Sequence, residues 1–401
     1  MPDKRLRILT VTHNYPRFTG DPAGAFVARI AEGVAANGHQ VEVLAPHAPG
    51  TATHETLRGV HLNRFRYGPD VLERVAYTGG LHQSTLRSPV AALGFPGFLV
   101  GFAHGLRAAI RRFKPDLIHA HWWFPAGWFA SRHRSLPYVI TSHGSDARLL
   151  DRGTLVRALA RPVFKRAAKV TTVSRFLARD IAGSLPGAVQ GVVVTTMPID
   201  VDHFLRGAAT QKTIPPQILY AGNLVPSKGV DVLLRAAAEL SRRGVAYRLK
   251  ILGEGPARHS LESLAEQLGI TPMVSWSAFV PQEQMATEYG ASTVTVLPTR
   301  GQAEGLGLTL VEALLAGSAV VGTPAGGIPE VVRHEETGLI ARDGDWADLA
   351  TQLARLLTDA RLRERLTKSG REYALGAYSP AAAIGHFLQI YHDVADDHSH
   401  R

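Results

Sequence analysis

The sequence predicts an α/β protein built from two doubly wound domains facing a cleft, and three observations carry that reading. The chain has 401 residues, enough for two domains that each bury a core. Apolar runs of strand length alternate with helical patterns throughout, as in parallel sheets covered on both faces. The alternation breaks once, from Arg206 to Pro216, and then restarts.

The elements follow in order. LRILTVTH reads as a strand, YPRFTGDPAG as a loop, AFVARIAEGVAANG as a helix stopped by Gly38, and QVEVLAP as the next strand. DLIHAHW, YVITSHG and VTTVS are further buried strands, each followed by a loop and a helix. The break RGAATQKTIPP mixes Gly, Pro and polar residues without periodicity and reads as a linker. Beyond it QILYAGN, RLKILGEG, TVTVLPT and AVVGTPAGG are strands. VDVLLRAAAELSRRG, ARHSLESLAEQLG, LTLVEALLAG and DWADLATQLARLLTD are the helices among them. The divisions are therefore 1–205, a linker at 206–216, a second domain at 217–377 and a closing segment at 378–401. Ligands of such folds sit at the carboxyl ends of the strands.

Composition narrows the function. Hydrophobic residues make up 45% and charged residues 19%, a globular profile. With no cysteine, disulfides, thiolate metal sites and cysteine nucleophiles are excluded. The opening MPDKRLRILTVTHNY lacks the pattern of a signal peptide. Pro89 to Ile110 is apolar but broken by Pro96, His104 and Arg107, so a buried or interfacial segment is expected there and not a span. The formal charge of +10 is spread along the chain without a basic tail or aromatic-interleaved run, which argues against nucleic acid. A cytoplasmic location is the expectation. Arg157, Arg161, Lys165 and Lys169 recur every four residues, so a helix there carries a basic stripe. That stripe is either a solvated face or a peripheral contact with the inner face of an anionic membrane.

Three stretches can carry chemistry. In EGLGLTLVE, Gly305 and Gly307 stand where a loop enters a helix, so backbone amides there can approach an anion. Glu304 lies before that helix and Glu312 about two turns further on, so they cannot form one catalytic pair, and each is expected to meet a different part of one elongated ligand. Their plainer reading is a charge on the helix dipole and a solvated glutamate. In GNLVPSKG, Lys228 sits among glycines in a strand-to-helix loop suited to phosphates, although this is no Walker loop. Histidines stand at strand ends in HAHWW and TSHGSD. His119 reads as a core residue, and His143, beside Gly144, as an active-site residue. Their spacing is not that of metal ligands. Asp200 and Asp202 read as cap and packing residues, so no metal site is expected.

Together these motifs resemble the retaining glycosyltransferases of family 4 over nearly the whole chain. GHQVEVLAP, KPDLIHAHW, ITSHG, VTTVS, GNLVPSKGVDVLL, LGEGP, EGLGLTLVEALLAG and GGIPEVV follow that family's motif order. The resemblance implies the GT-B fold, two Rossmann-like domains with the last helix returning to the first. It implies a nucleotide-sugar donor held by the second domain and a carbohydrate, lipid or small-molecule acceptor held by the first. Glu304 would face the transferred sugar, Glu312 the ribose hydroxyls, and Lys228 the diphosphate together with the amides of Leu306, Gly307 and Leu308. His143 would sit by the anomeric carbon and leaving phosphate. Gly24, with Gly20, would let the first loop close on the diphosphate, and Val280 would approach the base. Gly222, Asn223, Gly253 and Gly305 complete the donor positions, while Gly20, His121 and Trp122 lie on the acceptor side. The WWFPAGWF segment with Tyr77 to Phe102 offers apolar acceptor surface. No cofactor is implied.

Two departures from the family stand out. Asn223 replaces the usual arginine of the Gly-Arg-Leu loop, and Ile199 and Asp200 replace a common Asn-Gly. No carboxylate pair is arranged for a glycosidase-like nucleophile, and front-side displacement with retention is implied by resemblance alone. A phosphorylase of the same fold and a non-catalytic nucleotide-sugar or polyanion binder are the rival readings.

Overall fold

The structure is a computed structural model that describes residues 5–21, 23–77, 88–278, 280–302 and 304–399. Part of the expected acceptor surface, residues 78–87, lies outside these, as do the first four residues, Phe279 and the last two residues. The chain divides into two units: Met1–Pro198 with Pro380–Arg401, and Ile199–Ser379.

The first unit is built on β1 (Arg7–Val11), α1 (Ala25–Ala36), β2 (Gln40–Pro46), β3 (His54–Leu57), β4 (Val60–Phe65), α2 (Pro89–Phe113), β5 (Leu117–His121), β6 (Tyr138–Ser142), α3 (Thr154–Arg166), β7 (Lys169–Thr172), α4 (Arg175–Ser184) and β8 (Val192–Val194). Its sheet has the order β3-β4-β2-β1-β5-β6-β7-β8, parallel except for the β3–β4 hairpin. Sequence reasoning passes over that hairpin because β3 is largely exposed and lacks alternation. Its cue is the turn Arg58-Gly59, where both residues have positive φ, as a two-residue hairpin loop requires. β1 pairs β2 on one side and β5 on the other, so strand order reverses there and the ends of β1 and β5 flank a crevice.

Helix α2 is long and apolar enough to cross a bilayer by length and composition. One face buries Phe98, Phe102, Leu106 and Phe113, with Gly97 and Gly101 lying against the carbonyls of Tyr67 and Arg66, while Leu93 and Val100 are 71% and 70% exposed. The basic stripe is shorter than expected. Helix α3 ends at Arg166, and Lys169 begins β7, because buried Val170 to Thr172 pair with β6.

The second unit comprises α5 (Val201–Gly207), β9 (Gln217–Ala221), α6 (Val230–Arg242), β10 (Arg248–Leu252), α7 (Arg258–Gln267), β11 (Val274–Ser277), α8 (Gln282–Ala291), β12 (Val294–Leu297), α9 (Leu308–Leu315), β13 (Ala319–Gly322), β14 (Leu339–Ile340), α10 (Trp346–Thr358) and α11 (Ala360–Ala377). Its parallel sheet runs β11-β10-β9-β12-β13-β14, and strand order reverses between β9 and β12. The division after Pro198 falls ahead of the expected boundary at 205, because α5 packs on α8 and α9. Asp200 caps α5 by accepting from the His203 amide at 3.0 Å. Residues 206–216 are anchored and not a free tether: Lys212 Nζ donates to the carbonyls of Ser292 and Gly317 at 2.8 and 2.7 Å.

The chain closes with α12 (Pro380–Ser399), which belongs to the first unit and packs on α1 and β5. Phe387 and Tyr391 are buried, and Tyr391 Oη shares a 2.7 Å hydrogen bond with His119 Nδ1.

Candidate active site

In the second unit the loops after β9 and β12, which flank the reversal of strand order, bring two expected residues together. Lys228 closes a short turn after Pro226, and its Nζ donates to Glu304 Oε2 at 2.6 Å. Both side chains are largely shielded, at 19% and 17% exposure. Glu304 is held by its backbone. Gly326, at φ +56°, lies so close that an added Cβ would stand 1.9 Å from the Glu304 carbonyl, and the Gly327 amide donates to that carbonyl at 3.2 Å. These two glycines of GGIPEVV shape the site, a role that the motif alone did not disclose.

Three residues on, Gly307 enters α9 in the left-handed conformation, and no side chain caps the helix. The first-turn amides, with Leu308 leading, therefore point outward as an anion-binding end. Leu306 is buried. Glu312 lies further along α9 and takes Tyr289 Oη at 3.1 Å and Gln282 Nε2 at 3.5 Å. Burial and the Glu312 charge hold the Tyr289 hydroxyl well above its usual range, so it stays a donor. Tyr289 and Gln282 come from α8, a helix that shows no motif.

In the first unit the loops after β1, β5 and β6 assemble a ring cluster around His143. His143 Nε2 meets His121 Nδ1 at 3.0 Å, with the two rings stacked. Trp122, Phe26 and His121 surround the His143 ring at centroid distances of 4.7, 4.6 and 5.2 Å. Its backbone is fixed by Asp146, whose Oδ1 accepts from the amides of His143 and Gly144 at 3.1 and 3.3 Å. The other oxygen accepts from Ser142 Oγ at 2.7 Å. Burial lowers His143 to about 3 and His13 to about 4, so both rings are neutral at neutral pH.

His121 and Trp122 are the two residues expected on the acceptor side together with Gly20. His121 is fully buried and Trp122 nearly so, and both back the His143 ring. His119 is a core residue, bonded to Thr141 Oγ1 at 2.6 Å and to Tyr391. Gly24 precedes α1 at φ +67° and lies against the Asn14 carbonyl, 2.2 Å from where a Cβ would stand, while Gly20 is half-buried in the same loop at φ +84°.

The chain matches known proteins in both halves. Residues 23–203 match the family described as Glycosyltransferase Family 4, and residues 204–373 match Glycosyl transferases group 1. A D-inositol 3-phosphate glycosyltransferase of Thermobifida fusca is 30% identical over 326 residues, covering 74% of each chain. The chain belongs to glycosyltransferase family 4. A 2-deoxystreptamine glucosyltransferase of Streptomyces kanamyceticus is 29% identical to this family member over 71% of this chain and 79% of its own. The sucrose-phosphate synthase of Thermosynechococcus elongatus has the same fold, with a TM-score of 0.79 at 21% identity over 98% of this chain and 100% of that one. Anabaena HepE, in complex with UDP-glucose, gives 0.70 at 15% identity over 99% and 100%. The fold is GT-B.

The other residues expected at the donor lie in neighbouring loops of the second unit. Gly253, at φ +149°, would put a Cβ 1.9 Å from the Gly222 carbonyl, so these two glycines pack one loop on the other. Asn223 is exposed, and its carbonyl accepts from Tyr220 Oη at 2.9 Å. Arg300 reaches the same loop, donating its amide to the Ser227 carbonyl at 2.9 Å, while its guanidinium pairs with Asp231. Val280 is half-buried and precedes α8.

Proposed function

We propose that this family 4 glycosyltransferase moves a sugar from a nucleoside-diphosphate sugar to a hydroxyl of a cyclitol-bearing acceptor, with retention and without a metal ion. The Lys228–Glu304 pair beside the uncapped start of α9 carries the reading. A cation and free helix amides serve a diphosphate leaving group, and the carboxylate beside them serves sugar hydroxyls. In the reaction the bond from the anomeric carbon to the phosphate oxygen breaks and a bond to the acceptor oxygen forms. The acceptor's proton leaves with the departing phosphate, as front-side displacement requires. Lys228 and the α9 amides stabilise the charge that grows on the phosphate. In the first unit, desolvation holds His143 neutral, so what it offers a ligand is a hydrogen bond and not a charge. Glu312, aimed by Tyr289, takes the ribose hydroxyls.

A UDP-sugar donor is supported by the fold neighbour solved with UDP-glucose, and a cyclitol acceptor by relatives named for inositol phosphate and 2-deoxystreptamine. Nucleoside-diphosphate sugars are screened first by thermal shift, since a bound donor raises the melting temperature. The stabilising donor is then incubated with D-inositol 3-phosphate and with 2-deoxystreptamine, with a chelator present. An α-linked product from an α-linked donor is expected. An inverted product, or a strict need for manganese or magnesium, contradicts the proposal.

Peripheral membrane contact is the second part. On α3, Leu155 and Leu159 are 73% and 45% exposed, in a helix that also carries Arg161 and Lys165 on its surface. Such a face suits an anionic bilayer. Flotation with anionic vesicles that fades with salt is expected, and flotation indifferent to lipid charge refutes it.

A further inference from the structure

The second unit has another pocket, of about 560 Å³, at the opposite ends of its strands from Lys228 and Glu304. Its lining includes Thr293 and Gly317, which lie just before β12 and β13, whereas Lys228 and Glu304 follow the far ends of β9 and β12. Four cations line it: Lys212, Arg363, Lys368 and Arg371.

Three of the four are held in place, and among the described residues none of the four has an ion-pair partner. Lys212 is fixed by the carbonyls of Ser292 and Gly317, and burial, followed by the nearby charges of Arg371 and Arg363, lowers it to about 8. Arg363 is anchored through the carbonyl of Leu356 at 2.7 Å. Arg371 is the telling residue. Its Nε is buried and finds no acceptor among the described residues, and its guanidinium packs against Gly317, with Nη2 2.5 Å from where a Cβ would stand. Buried guanidinium nitrogens are normally paired, so an orphan beside other cations marks a place for an anion. Glu364 and Glu372 also line the pocket, but among the described residues neither forms an ion pair with any of the four cations.

We propose that this pocket binds the phosphate ester of a small hydroxylated molecule, at a site separate from that of the sugar donor. Lys212, Lys368 and Arg371 take the phosphate oxygens, while Glu364, Glu372 and the Thr367 hydroxyl accept and donate to the ester's hydroxyls. The volume falls within the range of small-molecule sites, about 300–1,000 Å³.

The test is calorimetric titration of the full chain with inorganic phosphate, glucose 6-phosphate and glucose. Glucose 6-phosphate should bind tighter than phosphate, and glucose alone should not bind. Arg371→Gln should weaken glucose 6-phosphate about tenfold, the loss of one charge-assisted contact. Lys368→Gln, at an exposed position that tolerates substitution, should weaken it severalfold, and Lys228→Gln should leave it unchanged. The proposal is overturned if neither phosphate compound binds at millimolar concentration. It is overturned equally if Lys228→Gln alone abolishes binding, or if Arg371→Gln and Lys368→Gln both leave it intact.

Discussion

Lys228 Nζ lies 2.6 Å from Glu304 Oε2, so the cation expected on the phosphates and the carboxylate expected on the sugar hold one another. They come from loops after different strands, yet their charges form one unit. On the proposed reading a donor diphosphate and Glu304 share the three N–H donors of one ammonium, so the two residues are expected to be coupled in a binding measurement.

Substitution should expose that coupling. Glu304→Gln frees Lys228, so donor affinity should hold or tighten while kcat falls about 10–100-fold. Lys228→Gln removes the cation and should weaken the donor by about the same factor, since a charge-assisted bond is worth ~1.5–3 kcal/mol. Steady-state kinetics with direct donor titration separates the two. Equal, small effects from both would return the pair to a surface ion bridge.

Glu312 should behave differently. The ribose contact proposed for it would not change during reaction, so Glu312→Gln should raise the donor KM and spare kcat. Tyr289→Phe, which loses the 3.1 Å bond that aims the carboxylate, should raise KM severalfold in the same direction. A kcat loss without a KM change in either variant would contradict this role.

Asn223→Arg tests the departure from the family. Arg300 already reaches the loop, and its charge is balanced by Asp231. The added guanidinium should therefore leave donor affinity within about twofold. A donor bound tenfold tighter with activity preserved would show that the native site simply lacks a cation.

The histidine cluster sets an acid limit. Burial lowers His13 to about 4 and His119 and His143 to about 3, and His121 lies well below 6.5. Their folded values are below the unfolded one, so the unfolded chain binds more protons as pH falls. The stability they contribute is present above about 6.5 and is lost progressively toward pH 4. Asp146 is raised by burial and acts in the opposite sense, in the carboxylate range. Calorimetry at pH 7.5 and 5.0 should show a clear fall in melting temperature, and a flat profile would exclude neutral buried rings.

Removing residues from Ser379 onward should destabilise the first unit. Phe387 and Tyr391 would be lost from its core, His119 Nδ1 would lose its partner, and Ile384 would no longer cover Gly33 on α1. A fall of at least ~5 °C is expected in a thermal scan. Unchanged melting and activity would contradict it.

Much of this molecule is legible in the sequence, because strand and helix periods, glycine placement and motif order are local. The strands carrying HAHWW and TSHGSD, the loop at Lys228 and the helix at Leu308 are all read from neighbours along the chain. The hairpin at Arg58-Gly59 was within reach, its turn residues being the signal, but its exposed strand lacks the hydrophobic pattern that draws attention. What the sequence could not determine was pairing across the sheet. Tyr289 and Gln282 meet Glu312 only because α8 and α9 lie side by side, and a tyrosine in a helix with no motif gives no local sign of that. His121 and Trp122 read as strand-end residues, and only the packing shows that both are buried against the His143 ring. Tertiary structure likewise joined Lys228 to Glu304 across two loops, since only the parallel order β9-β12 brings those loop ends within hydrogen-bond reach. Local periodicity thus determined the elements, while burial and strand order, which depend on residues far apart in the chain, decided which side chains form the site.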